Sequence, residues 1–348
     1  METIIWKVDK SVDNLSTYPQ IQEAAAILQK NELVAFPTET VYGLGANARS
    51  DEAVEKIYQA KGRPSDNPLI IHISSIQDVE KYVEKVPEVA QKLMGQFWPG
   101  PLTIILEKKA GALSERATAG LSTVGIRMPD HPVALALIEA SGLPIAAPSA
   151  NRSGKPSPTK FEHVYEDLNG KIAGIVDGGP TGVGVESTVI DCTEDVPLIL
   201  RPGGVTKEEL EAVIGPVRID PNIRNVREAP KSPGMKYQHY APNADMYLVD
   251  GSPSFLQQTV DAYRKQGKRV GVLTTEEHSG HYEADFVISA GSREDLATIA
   301  QNIFHCLRLF DEQNVDIVLS ETFPDEGIGA AIMNRLVKAA GHKWLREG

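Results

Sequence analysis

The 348-residue sequence holds only two cysteines, Cys192 and Cys306. Cysteines so far apart give no disulfide framework and no zinc-ligand spacing. Aromatic residues make up only 6% of the chain, and none sit beside the basic clusters as stacking platforms for unpaired bases. Basic residues are also in deficit, 35 against 47 acidic, for a net charge of −12. Neither half of the chain is a basic platform, so stable nucleic-acid binding is not expected. No apolar run approaches the roughly 18 residues of a membrane span. The opening METIIWKVDK lacks the apolar stretch of a secretory leader. These absences favour a cytoplasmic protein without a membrane partner. Several motifs are missing too. There is no G-x-x-x-x-G-K-[ST] loop, no G-x-G-x-x-G fingerprint, no nucleophile elbow, no Ser-His-Asp order and no metal-ligand set.

What is present is an ordinary globular composition, 41% hydrophobic, in a chain long enough for two domains. Short apolar runs alternate with helical patterns through the first two hundred residues: Leu33–Phe36, Leu69–Ile73, Leu102–Leu106, Thr123–Met128, Ile145–Ala147, Ile175–Asp177, Ser187–Asp191 and Leu198–Leu200. Ile21–Lys30, Asp51–Lys61 and Pro132–Ser141 read as helices, the second with Ser50 as N-cap and Gly62 as stop. Some strands follow one another directly, which predicts a twisted mixed sheet. After about residue 215 comes a proline-rich, charged stretch with few aliphatics. A clean βα alternation then restarts at Met246. The division read from this is a catalytic-type α/β domain over 1–215, a linker over 216–243 and a smaller Rossmann-like α/β domain over 244–348. Without the glycine fingerprint, no dinucleotide is assigned to the last domain.

Five clusters gather chemistry at strand ends, where open α/β sheets bind ligands. Phe36–Gly45 (FPTETVYGLG) offers Thr38, Thr40 and Tyr42 as hydrogen-bonding groups, or is an ordinary βα loop. Lys61–Pro68 (KGRPSDNP) brings Lys61, Arg63, Ser65 and Asn67 to a helix end. The cations suit phosphate oxygens, or simply complement the helix dipole. His72 follows on an alternating strand, where a structural role is the competing reading. Thr123–Pro129 places Arg127 at a strand end, where its fork suits a substrate carboxylate or an internal ion pair. Ala146–Pro158 carries Ser149, Asn151, Ser153 and Ser157, able to wrap phosphate or ribose, or to form a mobile surface loop. Finally Glu186–Asp191 (ESTVID) precedes Leu200–Gly204 with Arg201. Hydroxyls and four cations in one domain, without a covalent nucleophile, describe a site that binds an anionic nucleotide and positions reactants.

In this order and spacing, FPTETVYGLG, KGRPSDNPL, TVGIRMP, APSAN, ESTVID and RPGG resemble the YrdC-like threonylcarbamoyl-AMP synthases. SPGMKYQHYAP and the trailing domain resemble the long two-domain form of that family. The resemblance implies synthesis of L-threonylcarbamoyladenylate from L-threonine, bicarbonate and ATP with release of pyrophosphate. The product then passes to a tRNA threonylcarbamoyl-transferase complex acting on the adenosine beside the anticodon. Position by position it implies a threonine site at Thr40, His72, Arg127, Ala147 and Ser187, with Thr38 as the alternative hydroxyl to Thr40. It implies a nucleotide site at Lys61, Arg63, Asn67, Thr123, Ser149, Asn151, Ser157, Arg201 and Tyr240, with Lys61 and Arg63 serving the chemical step. Mg2+ accompanies ATP, held by phosphates and water because no carboxylate cage is visible. Two tyrosines, His239 and Met235 make Ser232–Pro242 read as a lid rather than a passive tether. The competing classes are an RNA-binding module, a nucleotide-sensing regulator and a hydrogenase-maturation carbamoyltransferase. The last carries cysteine-rich zinc motifs that two isolated cysteines do not supply.

Overall fold

The computed structural model describes residues 1–224 and 239–348, which divide into two compact units. The first unit holds Met1–Ser153, Ser157–Gly182 and the described residues from Glu186 to 224. The second holds two short stretches, Gly154–Pro156 and Val183–Val185, and the described residues from 239 onward.

In the first unit the order is β1 (Ile4–Lys7), α1 (Pro19–Gln29), β2 (Val34–Phe36), β3 (Gly43–Asn47), α2 (Asp51–Lys61), β4 (Ile71–His72), α3 (Glu88–Phe97), β5 (Leu102–Glu107) and β6 (Thr123–Arg127). It continues with α4 (Pro132–Ser141), β7 (Ile145–Ala146), α5 (Phe161–Leu168), β8 (Gly174–Asp177), β9 (Thr188–Asp191), β10 (Leu198–Arg201), α6 (Lys207–Ile214) and β11 (Arg218–Ile219). Eleven described strands form one mixed sheet, ordered β1-β8-β2-β3-β7-β4-β6-β5-β9-β10-β11. Strand alternation divides the core. Val34 and Phe36 of β2 pack with Ile21 and Leu28 of α1 and Leu137 of α4. Ala35, between them, joins the opposite cluster with Ile57 of α2 and Leu93 of α3.

Local signals explain the helices. Ser50 Oγ accepts the Ala53 N–H at 3.1 Å, and Asp51 and Glu52 face the positive end of α2. Gly62 stops it at φ 64°, a left-handed value that costs glycine little. One segment departs from the sequence reading. Gly43–Asn47 was expected to be loop beyond a strand, yet it is β3, antiparallel to β2. The two glycines lower strand propensity, which hides it. Packing requires at least one of them: a Cβ on Gly45 would meet the Phe36 ring at 2.8 Å and the Val34 carbonyl at 3.1 Å.

The second unit runs β12 (Asp245–Asp250), α7 (Pro253–Lys265), β13 (Val270–Thr274), β14 (Phe286–Ser289), α8 (Leu296–Glu312), β15 (Ile317–Ser320), α9 (Ile328–Ala339) and β16 (Trp344–Arg346). Its five described strands are all parallel, ordered β14-β13-β15-β12-β16. Val249, Leu256, Val260, Val272 and Leu319 form a core between sheet and α7. Long α8 buries Ile299, Ile303, Phe304, Leu307 and Phe310 at helical spacing. Among the described residues, no helix is long and apolar enough to cross a membrane.

Candidate active site

Register brings the first group of residues together. β4 pairs with β6 so that His72 lies beside Arg127. β6 runs antiparallel to β5, and β5 parallel to β9, so the end of β6 meets the starts of β5 and β9. β10 is antiparallel to β9 and places Arg201 across from Val189. Arg127, Thr103, Ser187 and Arg201 therefore share one edge of the sheet.

Their contacts form a chain. Arg127 Nη1 donates to Thr40 Oγ1 at 3.1 Å, and its Nη2 is ion-paired with Glu39. Thr40 Oγ1 lies 2.9 Å from Thr38 Oγ1, which donates to the Val41 carbonyl at 2.6 Å. Thr40 thus faces the guanidinium, while Thr38 braces the turn from behind. Arg201 Nε and Nη2 reach the Ser187 carbonyl and hydroxyl at 3.0 and 3.1 Å. That hydroxyl lies 2.7 Å from Thr103 Oγ1. Burial first, and then the Arg201 charge, push the Arg127 guanidinium down to about 9. It still carries its charge at neutral pH. Its Nε is buried without a hydrogen-bond partner. The fork of an Arg so placed suits a carboxylate. The internal ion pair that competed with this reading is also present, so an incoming carboxylate meets Glu39 as a rival. Asp130 N–H holds the other Glu39 oxygen at 2.5 Å.

His72 is buried, and desolvation lowers its pKa to about 4, so the ring is neutral. Its Nδ1 lies 3.0 Å from the Ile70 carbonyl, and its ring meets Phe36 edge-on. Ala147 follows β7 and is held by its N–H to the Ile70 carbonyl at 3.1 Å.

A second group surrounds the loop after β7. Leu44 N–H donates to the Pro148 carbonyl and Ala150 N–H to the Tyr42 carbonyl, so the first and fourth sequence clusters pair directly. Lys61 ends α2 buried, with its Nζ donating to the Ser149 carbonyl and to the Asn151 carbonyl at 2.8 Å. It is not a solvated charge on a helix end. Burial, then the Arg63 charge, hold it well below the usual lysine range. Arg63 Nη2 spans the Asn67 and Pro68 carbonyls at 3.3 and 3.2 Å. Ser157 Oγ donates to Glu186 Oε1 at 2.5 Å.

Two residues stand apart. Thr123 begins β6, at the far end of that strand from Arg127, and lines a cavity of about 10 Å3 with Pro68 and Thr103. Tyr240 falls in the second unit, buried with its ring stacked on Phe304 at 5.0 Å. Most of Ser232–Pro242 lies outside the described residues. Three groups were missed in the sequence. Glu39 and Glu186 sit inside the quoted motifs and were overlooked beside their hydroxyl neighbours. Thr103, in an apolar strand, gave no signal. Among the described residues, no cluster of three or more His, Cys, Asp or Glu could hold a metal.

Comparison with known proteins gives the same outline. A family model described as telomere recombination, covering the Sua5, YciO and YrdC proteins, matches residues 26–203. A second, the threonylcarbamoyl-AMP synthase C-terminal domain, matches 205–341. The threonylcarbamoyl-AMP synthase of Bacillus subtilis is 61% identical over 347 residues, covering 99% of this chain and all of that one. That of Pyrococcus abyssi is 50% identical, covering 94% and 96% of the two chains. The crystal structure of P. abyssi Sua5 complexed with L-threonine superposes with a TM-score of 0.93 at 47% identity, covering 99% of this chain and all of that one. With both models matched and full-length relatives at this identity, the chain belongs to the threonylcarbamoyl-AMP synthase family.

Proposed function

We propose that this protein joins L-threonine, bicarbonate and ATP into L-threonylcarbamoyladenylate and releases pyrophosphate. The observation that carries this reading is a buried, cationic Arg127 set between Thr40, neutral His72 and the Ser187–Arg201 pair. This group receives the threonine carboxylate on Arg127, with Thr40 and Ser187 fixing the amino acid. Neutral His72 adds polarity without a second charge against the ammonium.

The Lys61, Arg63, Asn67, Ser149, Asn151 and Ser157 group receives the nucleotide. The threonine amine captures bicarbonate as a carbamate with loss of water; a carbamate oxygen then attacks the α-phosphorus of ATP, the carbamate O–P bond forms and the bond to pyrophosphate breaks. One anion attacks another, so cations must offset charge while the reactants stay in line. Lys61 spends two donors on the carbonyls of the 149–151 loop and has a third for a phosphate oxygen. Arg201 and Thr123 complete the proposed nucleotide contacts of this unit. Magnesium enters as part of the MgATP substrate, held by phosphate oxygens and water.

The product has a labile mixed anhydride and must be consumed by a transferase that acylates an amine, here a tRNA adenosine in the cytoplasm. An RNA-binding or nucleotide-sensing module finds no support in the family relationship. Pyrophosphate release tests the reading: it should require threonine and bicarbonate together. Release from ATP alone at the same rate would reject it.

A further inference from the structure

Glu39 is the acid that Arg127 already holds, and the proposed reaction gives it no part. It sits between Thr38 and Thr40, in the turn that joins β2 to β3. One carboxylate oxygen pairs with Arg127 Nη2, and the other accepts the Asp130 N–H at 2.5 Å. Its backbone is held as well. The Glu39 carbonyl accepts the Gly182 N–H at 3.2 Å, and the flanking Thr38 and Thr40 hydroxyls lie 2.9 Å apart. The side chain is only 13% exposed. A carboxylate tied at both oxygens and at its backbone is a fixed part of the site. It is not a gate that swings clear of Arg127.

An amino acid brings a positive end as well as a negative one, and the positive end needs a partner once it leaves water. The residues grouped about Arg127 offer few. Thr40, Thr103 and Ser187 supply neutral hydroxyls. His72 is neutral, and its Nδ1 faces the Ile70 carbonyl. Arg201 is a second cation, whose charge adds to burial in lowering the Arg127 pKa. Glu186, beside Ser187, turns its carboxylate to Ser157. The group therefore holds two guanidiniums and one carboxylate, that of Glu39. An ammonium set beside either guanidinium would meet like charge.

The ligand's own shape fits the same arrangement. In an α-amino acid the ammonium is borne on the carbon next to the carboxylate. A carboxylate on the Arg127 fork thus brings the ammonium within reach of an acid on the same guanidinium. The zwitterion also resolves the rivalry between Glu39 and the incoming carboxylate, because its positive charge lies between the two anions. A 2-hydroxy acid lacks that charge and meets Glu39 as a repelling neighbour, which is selection by exclusion. We infer that Glu39 receives the ammonium of bound threonine and makes the site select α-amino acids over carboxylates that lack the amine. This rests on the proposed threonine site at Arg127.

Calorimetric titration of the full chain with L-threonine and with 2,3-dihydroxybutanoate tests it. The second ligand is threonine with a hydroxyl in place of the amine. The unaltered protein should bind threonine about tenfold to a hundredfold more tightly, the scale of one hydrogen bond between charged groups. Glu39→Gln keeps the size and removes the charge. It should weaken threonine about tenfold and leave dihydroxybutanoate as tight or tighter. Glu39→Asp keeps the charge and should keep the preference. The comparison of ligands on the unaltered protein stands even where a variant fails to fold. The inference is overturned if the unaltered protein binds both ligands equally, or if Glu39→Gln binds threonine undiminished. It is overturned too if Glu39→Gln weakens both ligands by the same factor, the mark of a residue that only braces Arg127. Unaltered protein that binds no threonine at all would instead overturn the threonine site itself, and this inference with it.

Discussion

Arg127 is the residue on which the proposed amino-acid site turns, because the proposal uses both its fork and its burial. Arg127→Lys keeps the charge but loses the paired donors. It should weaken threonine binding about tenfold or more while sparing ATP, as measured by calorimetric titration; unchanged threonine affinity would remove it from that role. Lys61 gives a proton-linked prediction. Its pKa is depressed by burial, and a triphosphate restores the charged form. Above that depressed value ATP binding should therefore take up a proton and weaken as pH rises further. Titrations in buffers of different ionisation enthalpy read that proton directly. Lys61→Ala should abolish the uptake and lower pyrophosphate release about a hundredfold. His72 and His131 make stability depend on pH. Burial lowers both His72 and His131, the latter capping α4 by accepting the Val133 N–H, from 6.5 to about 4. The unfolded chain binds more protons between those values, so stability should fall as pH drops from 6.5 towards 4, by up to about 3 kcal/mol for each histidine. Urea denaturation across that range checks the slope. At this scale the residues proposed for the site were legible in the sequence by type, because side chains suited to carboxylates and phosphates are distinctive. What escaped was pairing: nothing in the sequence says that Glu39 would lie against Arg127, or Thr103 against Ser187, since register alone brings them together.

Among elements, α2 shows how a local signal places a group proposed to serve the chemistry. Ser50, Asp51 and Gly62 fix where the helix starts and stops, and that decides where Lys61 emerges. Ser50→Ala should cost about 1 kcal/mol of stability, measured by denaturant unfolding. A loss well under 0.3 kcal/mol would mean that tertiary packing alone sets the helix. α2 and α4, both closed by glycine, were readable as they stand. β3 was not, since two glycines mask a strand that exists because its neighbours crowd it. α3, α5 and α6 were not singled out either; α5 and α6 have a physical reason. Each is eight residues long, and so short a helix gives too few turns for its apolar period to show.

For the whole molecule, the alternation and the composition shift near residue 215 were enough to read a mixed-sheet domain followed by a parallel α/β one. The strand order was not available, because neighbours such as β1 and β8 are 170 residues apart in sequence and no local pattern encodes their pairing. The account's central claim is that this chain joins three substrates into one adenylate. Mass spectrometry of the product made with 13C-bicarbonate measures that union in one step. With ATP and L-threonine present, a species of the mass of threonylcarbamoyladenylate should appear, one mass unit heavier than with ordinary bicarbonate, and should vanish when threonine is left out. ATP conversion without a labelled adenylate carrying both threonine and the bicarbonate carbon would contradict it.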